Sequence, residues 1–86
     1  MHPDLRDTLQ MLRDENPSLC LIGLYMEDAI WRRHGTARLP LREIAYGTGL
    51  STDTSQRGVD RLIRLGFIQR LRVGGRSNGS VYRLLG

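Results

Sequence analysis

Apolar residues repeat at helical spacing through the first 34 positions of the chain. One stripe follows the i, i+4, i+7 pattern of an amphipathic helix and consists of Leu5, Leu9 and Leu12. It predicts a helix over residues 4–15, which ends at Asn16-Pro17 because the residue before a proline disfavours the helical region. A second apolar series predicts a helix over residues 18–34, with Ser18 as its N-cap.

Two shorter apolar series follow, each bounded by turn-forming residues. The first predicts a helix over residues 41–46, which the glycine-containing segment 47–49 breaks. The second predicts a helix over residues 52–65, with Ser51 as its N-cap and Gly66 after its last turn. The residues between the second and third helices are interpreted as a short connection.

The C-terminal residues change to the two-residue alternation that is typical of β-strands. Two runs rich in branched and aromatic residues, 67–73 and 80–85, predict strands joined by the glycine-rich segment GGRSNG, residues 74–79. Strict alternation points four apolar side chains to the interior: Leu71, Val73, Tyr82 and Leu84. It points four others outward: Arg70, Arg72, Val81 and Arg83.

The glycine-rich segment does not match a nucleotide-binding loop. A Walker loop requires GxxxxGK[ST] before a helix, whereas no lysine follows Gly79 and the next run is strand-like. A dinucleotide fingerprint is excluded because both GxGxxG and a βαβ pattern are missing. A linker is excluded because ordered patterns resume on both sides. The segment is therefore interpreted as a hairpin turn whose glycines supply positive φ.

A length of 86 residues supports one core, so the chain is interpreted as a single domain, residues 1–86. The expected fold class is mostly α with a C-terminal β-hairpin (α+β). The expected parts are an extra N-terminal helix (1–17), a first core helix (18–35), two helices around a turn (41–66) and the hairpin (67–86).

The charge of the chain is unevenly distributed. All 13 basic residues are arginines, and the net charge is +4. Residues 1–34 hold four arginines and six acids, hence −2, whereas residues 35–86 hold nine arginines and three acids, hence +6. A basic region within one small domain is typical of an electrostatic footprint on nucleic acid. Solvated basic faces and a codon bias toward arginine are the alternatives.

No residue pattern indicates an enzyme, a metal site or a bound cofactor. His2 and His34 lack the spacing of zinc ligands, and the adjacent acids 14–15 and 27–28 point to different sides of a helix. Cys20 lies in an apolar run and is expected to be a buried small hydrophobe. The chain shows no membrane span and no signal-peptide pattern. A cytoplasmic or nucleoid-associated protein is therefore expected.

The stretch LREIAYGTGLSTDTSQRGVDRLIRLGFI, residues 41–68, resembles a helix-turn-helix in its winged-helix form, of the bacterial, plasmid and phage type. The matching positions are Ile44-Ala45, Gly49-Leu50-Ser51, Thr54, Gln56, Arg57, Leu62 and residues 65–68. Two positions depart from the pattern. Ser55 stands where valine or isoleucine is usual and Gly58 where alanine is common, which indicates a looser helix or a close backbone approach at Gly58.

This resemblance implies that the second helix of the motif enters the major groove and that the hairpin is a wing along the DNA backbone or in the minor groove. Gln56 and Arg57 are then first choices for base-edge contacts, and Arg61 and Arg64 for the phosphates. The full set of implied DNA-binding residues is Thr52, Asp53, Thr54, Gln56, Arg57, Arg61, Arg64, Arg72, Arg76, Ser77 and Asn78. For each, a solvated surface residue is the alternative, with Asp60 pairing Arg64 at i, i+4.

The resemblance implies a partner, double-stranded DNA, and a role as a sequence-specific transcriptional regulator that represses by occlusion. A plasmid or phage replication, partition or excision protein is one alternative, and a protein-interaction winged helix without DNA binding is another. The leucine stripe of the N-terminal helix either covers the chain's own core or pairs with a second copy. A homodimer, which Trp31 and Tyr25 could join, is expected.

Overall fold

Four helices and three strands make up the part of the chain that a computed structural model describes, residues 5–74 and 79–85. In order they are α1 (Leu5–Leu12), α2 (Pro17–Arg32), β1 (Thr36–Leu39), α3 (Leu41–Thr48), α4 (Thr52–Arg64), β2 (Ile68–Arg72) and β3 (Ser80–Leu84). The four predicted helices and both C-terminal strands are confirmed, with bounds that shift by up to three residues. The α+β class is confirmed, but the sheet is larger than a hairpin.

Strand β1 is the element that sequence patterning missed. It occupies the presumed connection, pairs antiparallel with β3 from Thr36 opposite Arg83 to Leu39 opposite Ser80, and gives the sheet order β1-β3-β2. Its side chains alternate, with Ala37 and Leu39 buried. The segment TARL does alternate between polar and apolar residues, but it has only the minimum length for a strand signal, and its partner strand lies more than forty positions later in the chain. The expected two-stranded hairpin is therefore corrected to a three-stranded sheet.

The inward set predicted for β2 is wrong because the alternation has the opposite phase: Ile68 is buried, so residue 70 lies on the inner side of the strand and residue 71 on the outer side. A bulge follows, since Arg70 pairs with Tyr82 and the next pair is Arg72 with Val81, which leaves Leu71 without an opposite residue. Leu71 and Val73, expected to be inside, are 45% and 77% exposed. Arg70, expected to be outside, lies over the ring of Tyr82. On β3 the prediction holds, since Tyr82 is buried and Leu84 packs against the core.

Helix α2 lies at the centre of the core and packs against the other three helices and the sheet. Its fully buried side chains include Ile22, Met26 and Ile30. Cys20 is also buried, as expected for a small hydrophobe. The helix starts earlier than predicted, because Asn16 rather than Ser18 is its N-cap: the Asn16 side chain accepts a hydrogen bond from the Leu19 amide at 3.1 Å.

Helix α1 covers the core of its own chain. Leu9 is completely buried and packs closely over Gly23 of α2, and Leu12 also contacts the core; nothing is described for the Leu5 side chain. The described residues of this leucine stripe therefore cover the core of their own chain, which is one of its two predicted roles. Tyr25 likewise packs inward, with its ring against Gly47 of α3, whereas Trp31 is 72% exposed.

Candidate nucleic-acid interface

The turn between α3 and α4 fixes the direction in which α4 leaves the core. Gly49 ends α3 in the left-handed region with φ 75°, and its amide donates to the Ala45 carbonyl at 2.9 Å. Leu50 packs against the core beneath the turn. The Ser51 side chain then caps α4 by accepting a hydrogen bond from the Thr54 amide at 3.1 Å. The helix break predicted at residues 47–49 and the N-cap role predicted for Ser51 are confirmed.

The two unusual residues of α4 bring this helix close to α2. Ser55 is fully buried and its hydroxyl donates to the Ser51 carbonyl at 2.8 Å, which satisfies a polar group that would otherwise be costly to bury. Gly58 lies against Ile22, and a Cβ at this position would overlap the Ile22 Cδ1 atom. The close backbone approach expected at Gly58 is therefore confirmed, and it seats α4 firmly on α2.

The face of α4 that points away from the core carries most of the residues expected to bind DNA. Those that are exposed are Thr52, Asp53, Gln56, Arg57, Arg61 and Arg64. Thr54 is only half-exposed, and its hydroxyl accepts a hydrogen bond from the Ser51 hydroxyl at 2.9 Å, so it is partly engaged in the cap. Within the described residues, none of the three arginines takes part in an ion pair. Their charge is available to an external partner.

The three arginines of α4 lie on the side of the helix that faces the start of α2. Arg57, Arg61 and Arg64 line a cleft of about 390 Å³, and its other polar lining residues are Thr54, Asn16 and Ser18; we call it the arginine cleft. The first turn of α2 adds the positive end of a helix dipole to the three guanidinium groups. Such a concentration of positive charge and hydrogen-bond donors suits a phosphate group.

Gln56 does not line the arginine cleft. It lines a second cleft of about 260 Å³ between α4 and strands β2 and β3, which we call the β-side cleft, with Val59, Arg70 and Tyr82 among its walls. Sequence reasoning treated Gln56 and Arg57 as neighbours with one role. The structure places them in two different clefts, although both side chains are exposed on the outward face of α4.

The glycine-rich segment leaves the sheet from a well-defined base. The Gly74 amide donates to the Ser80 hydroxyl at 3.2 Å, and Gly79 has φ 76°. The guanidinium group of Arg38 on β1 donates to the Gly79 carbonyl at 3.4 Å. Arg72, just before the segment, is exposed. The remaining predicted contacts of this region, Arg76, Ser77 and Asn78, lie outside the described residues.

Sequence reasoning missed two side chains that join α4 to the sheet. Asp60 pairs with Arg70, whose Nη2 atom lies 3.5 Å from the Asp60 Oδ1 atom, instead of pairing with Arg64 along the helix. The inward position of Arg70 could have been predicted from Ile68. A buried Ile68 puts residue 70 on the same inward side of the strand.

Comparisons with protein-family models, with curated proteins and with solved structures find no match for this chain. Within the described ranges, no helix has both the length and the apolar character needed to cross a bilayer. In the same ranges no three His, Cys, Asp or Glu side chains come together as metal ligands. The case for a function therefore rests on the geometry of α4 and its two clefts.

Proposed function

We propose that this protein binds double-stranded DNA sequence-specifically, with α4 in the major groove, and acts as a transcriptional repressor by occlusion. The observation that carries the proposal is the outer face of α4. It presents three arginines that form no ion pair with the described residues, on a helix that projects from a tight, capped turn. Cationic side chains on an exposed helix of this kind fit the phosphate-lined walls of the major groove.

The elements around α4 support a winged-helix arrangement. Helices α3 and α4 are joined by the Gly49 turn, and β2 and β3 follow directly and pair with each other, with β1 at the far edge of the sheet. In this arrangement the segment that contains Arg76 is the wing. It would lie along the DNA backbone or in the minor groove, where arginine is favoured.

The two clefts suggest that different residues of α4 bind the DNA backbone and the bases. The arginine cleft would hold a backbone phosphate, which positions the protein without reading sequence. Gln56 on the β-side would read a base edge, since glutamine binds adenine N6 and N7 in a bidentate manner. Arg57 lines the arginine cleft but is exposed, so it would read a guanine while Arg61 and Arg64 bind the phosphate.

A homodimer that reads a two-fold symmetric site remains a prediction. The face that suggested it is occupied in part, because Leu9 and Leu12 pack within their own chain. The symmetry of the bound DNA site tests the dimer directly, since two copies related by a two-fold axis select inverted half-sites.

The proposal is tested by selecting duplexes from a random library with the full-length chain and measuring affinity by fluorescence anisotropy. We expect tight binding of the selected duplex and an affinity that falls steeply with salt, because bound arginines release counterions from the phosphates. Flat anisotropy at low salt with the library and with genomic upstream DNA would overturn DNA binding.

Three arginine variants separate base reading from phosphate binding. Arg57→Ala is expected to lose discrimination by about 1–3 kcal/mol at one base pair, and Arg76→Ala to weaken all sequences similarly. Arg32→Ala is the matched control, since Arg32 lies on α2 and pairs with Asp28 at 3.0 Å. If Arg57→Ala leaves discrimination unchanged, Arg57 is not the base-reading residue.

A further inference from the structure

Arg70 links three elements on the inner side of the sheet. We propose that it is a positioning residue that sets the angle between α4 and the β2–β3 hairpin, and thereby the base pairs that Gln56 can reach. This inference rests on the DNA-binding function proposed above. It assigns a specificity role to an arginine that does not itself contact DNA.

The contacts of Arg70 define the link. Arg70 stands on β2 directly opposite Tyr82 of β3, and its guanidinium carbon lies 5.6 Å from the centre of the Tyr82 ring, within the range of a cation–π contact. The same guanidinium group reaches Asp60 of α4, with 3.5 Å between Nη2 and Oδ1. Tyr82 is buried, so one end of the link is anchored in the core and the other end holds α4.

Stability does not explain an arginine at this position. Its Nε atom is buried and has no hydrogen-bond partner among the described residues, which is unfavourable for folding. Its ion pair with Asp60 is long and partly exposed, with side-chain exposures of 32% and 45%, so it stabilises the fold little. An unbranched apolar side chain would fill the same space without the unpaired donor. What the arginine adds is a directional contact between Tyr82 and Asp60.

The position of Asp60 connects this contact to recognition. Asp60 lies four residues after Gln56, one turn further along the same side of α4. Gln56 and Arg70 line the same β-side cleft. The packing of α4 on α2 holds the helix in place, and the contact of Asp60 with the sheet adjusts its angle to the hairpin and thereby the reach of Gln56. Because the Arg70 charge is engaged inside the protein, it adds nothing to phosphate neutralisation.

The test uses the full-length chain and the duplex that the wild-type protein selects, with a scrambled duplex of equal length. The variants are Arg70→Met, Asp60→Ala and the double variant. Arg83→Met is the matched control: it removes the same charge from the outer face of the same sheet, where Arg83 donates to Gln69 at 2.7 Å. The readouts are the ratio of the two affinities, the salt dependence of each affinity and the thermal midpoint.

We expect Arg70→Met to lower the affinity ratio by about tenfold, the size of a partly misread base pair, with the slope of log affinity against log salt unchanged. Its thermal midpoint should equal or exceed that of the wild type. The double variant should lose no more than Arg70→Met alone, and Arg83→Met should keep the wild-type ratio.

Two results would overturn the inference while leaving DNA binding intact. One is an unchanged affinity ratio in Arg70→Met. The other is an equal loss on both duplexes with a shallower salt slope, which would make Arg70 a phosphate contact. If the wild-type chain selects no duplex, the proposed function fails. The positioning role of Arg70 is then tested by residual dipolar couplings, which give the angle between α4 and the hairpin in the free wild type and in Arg70→Met. An unchanged angle between α4 and the hairpin in Arg70→Met then contradicts it.

Discussion

At the scale of single residues, Gly58 of α4 decides how closely this helix approaches Ile22 of α2. The absence of a Cβ at position 58 lets the two helices touch, since any side chain there would overlap the Ile22 Cδ1 atom. Ile22 is completely buried, so a shift of its side chain would disturb its packing in the core. Gly58 thus weakens the helix locally but improves its docking.

Gly58→Ala is expected to destabilise the protein by about 1–2 kcal/mol, because overpacking outweighs a gain of about 1 kcal/mol in helix propensity. In an Ile22→Val background the Cδ1 atom is gone, and the same substitution should be neutral or stabilising. Urea unfolding followed by circular dichroism measures all four proteins. An equal effect of Gly58→Ala in both backgrounds would contradict a clash with Ile22.

At the scale of elements, the start of α2 contributes both to stability and to the arginine cleft. Asn16 caps the helix through the hydrogen bond to the Leu19 amide, and Asn16 and Ser18 both line the cleft. We expect Asn16→Ala to cost about 1 kcal/mol of unfolding free energy, the usual value for a lost N-cap. Ser18→Ala, the matched control at the site predicted from sequence, should change it by less than about 0.5 kcal/mol. If Ser18→Ala lowers the unfolding free energy more than Asn16→Ala in denaturant titrations, Ser18 is the N-cap.

The docking of α1 is the second test at this scale. Leu9 is the side chain that holds α1 on α2, and it is completely buried. We expect Leu9→Ala to cost about 2–4 kcal/mol, as for other buried leucines. Leu24→Ala, in which the truncated leucine is 39% exposed, should cost about 1 kcal/mol or less. If Leu9→Ala and Leu24→Ala destabilise the protein by similar amounts in thermal unfolding, α1 does not contribute to the core.

At the scale of the whole molecule, the arrangement of charge opposes stability and favours binding. Arg57, Arg61 and Arg64 lie three or four residues apart on one helix face and form no ion pair within the described residues. Like charges at this spacing repel each other. A bound phosphate would relieve that repulsion, which links the stability of α4 to occupancy of the arginine cleft.

Salt should therefore act in opposite directions on folding and on binding. Raising sodium chloride from 50 to 200 mM is expected to stabilise the free protein by about 0.2–0.5 kcal/mol through screening of the arginines. The same change should weaken DNA binding by at least about tenfold. Thermal unfolding and anisotropy in matched buffers measure both quantities. A thermal midpoint that falls with salt would contradict net repulsion on α4.

The sequence alone was sufficient to predict the four helices, the Gly49 turn and the Ser51 cap. These features depend on interactions among residues at most about four positions apart, such as capping bonds and the i, i+4 apolar stripe. The family resemblance named the candidate DNA-binding residues of α4, and all of them except Thr54 are exposed. Sequence reasoning also singled out Gly58, because a mid-helix glycine is unfavourable, but it left a looser helix and a close backbone approach as alternatives.

Only the tertiary structure decided which long-range partners these elements have. Strand β1 exists because β3 supplies its hydrogen bonds, and the bulge after Arg70 depends on the register between β2 and β3. Alternation within a short segment does not show which strand it pairs with or where the pairing is interrupted. The separation of Gln56 from the arginine cleft and the burial of Leu9 likewise depend on how whole helices pack. Backbone pairing and helix packing join residues distant in the chain, so they were set by the fold as a whole.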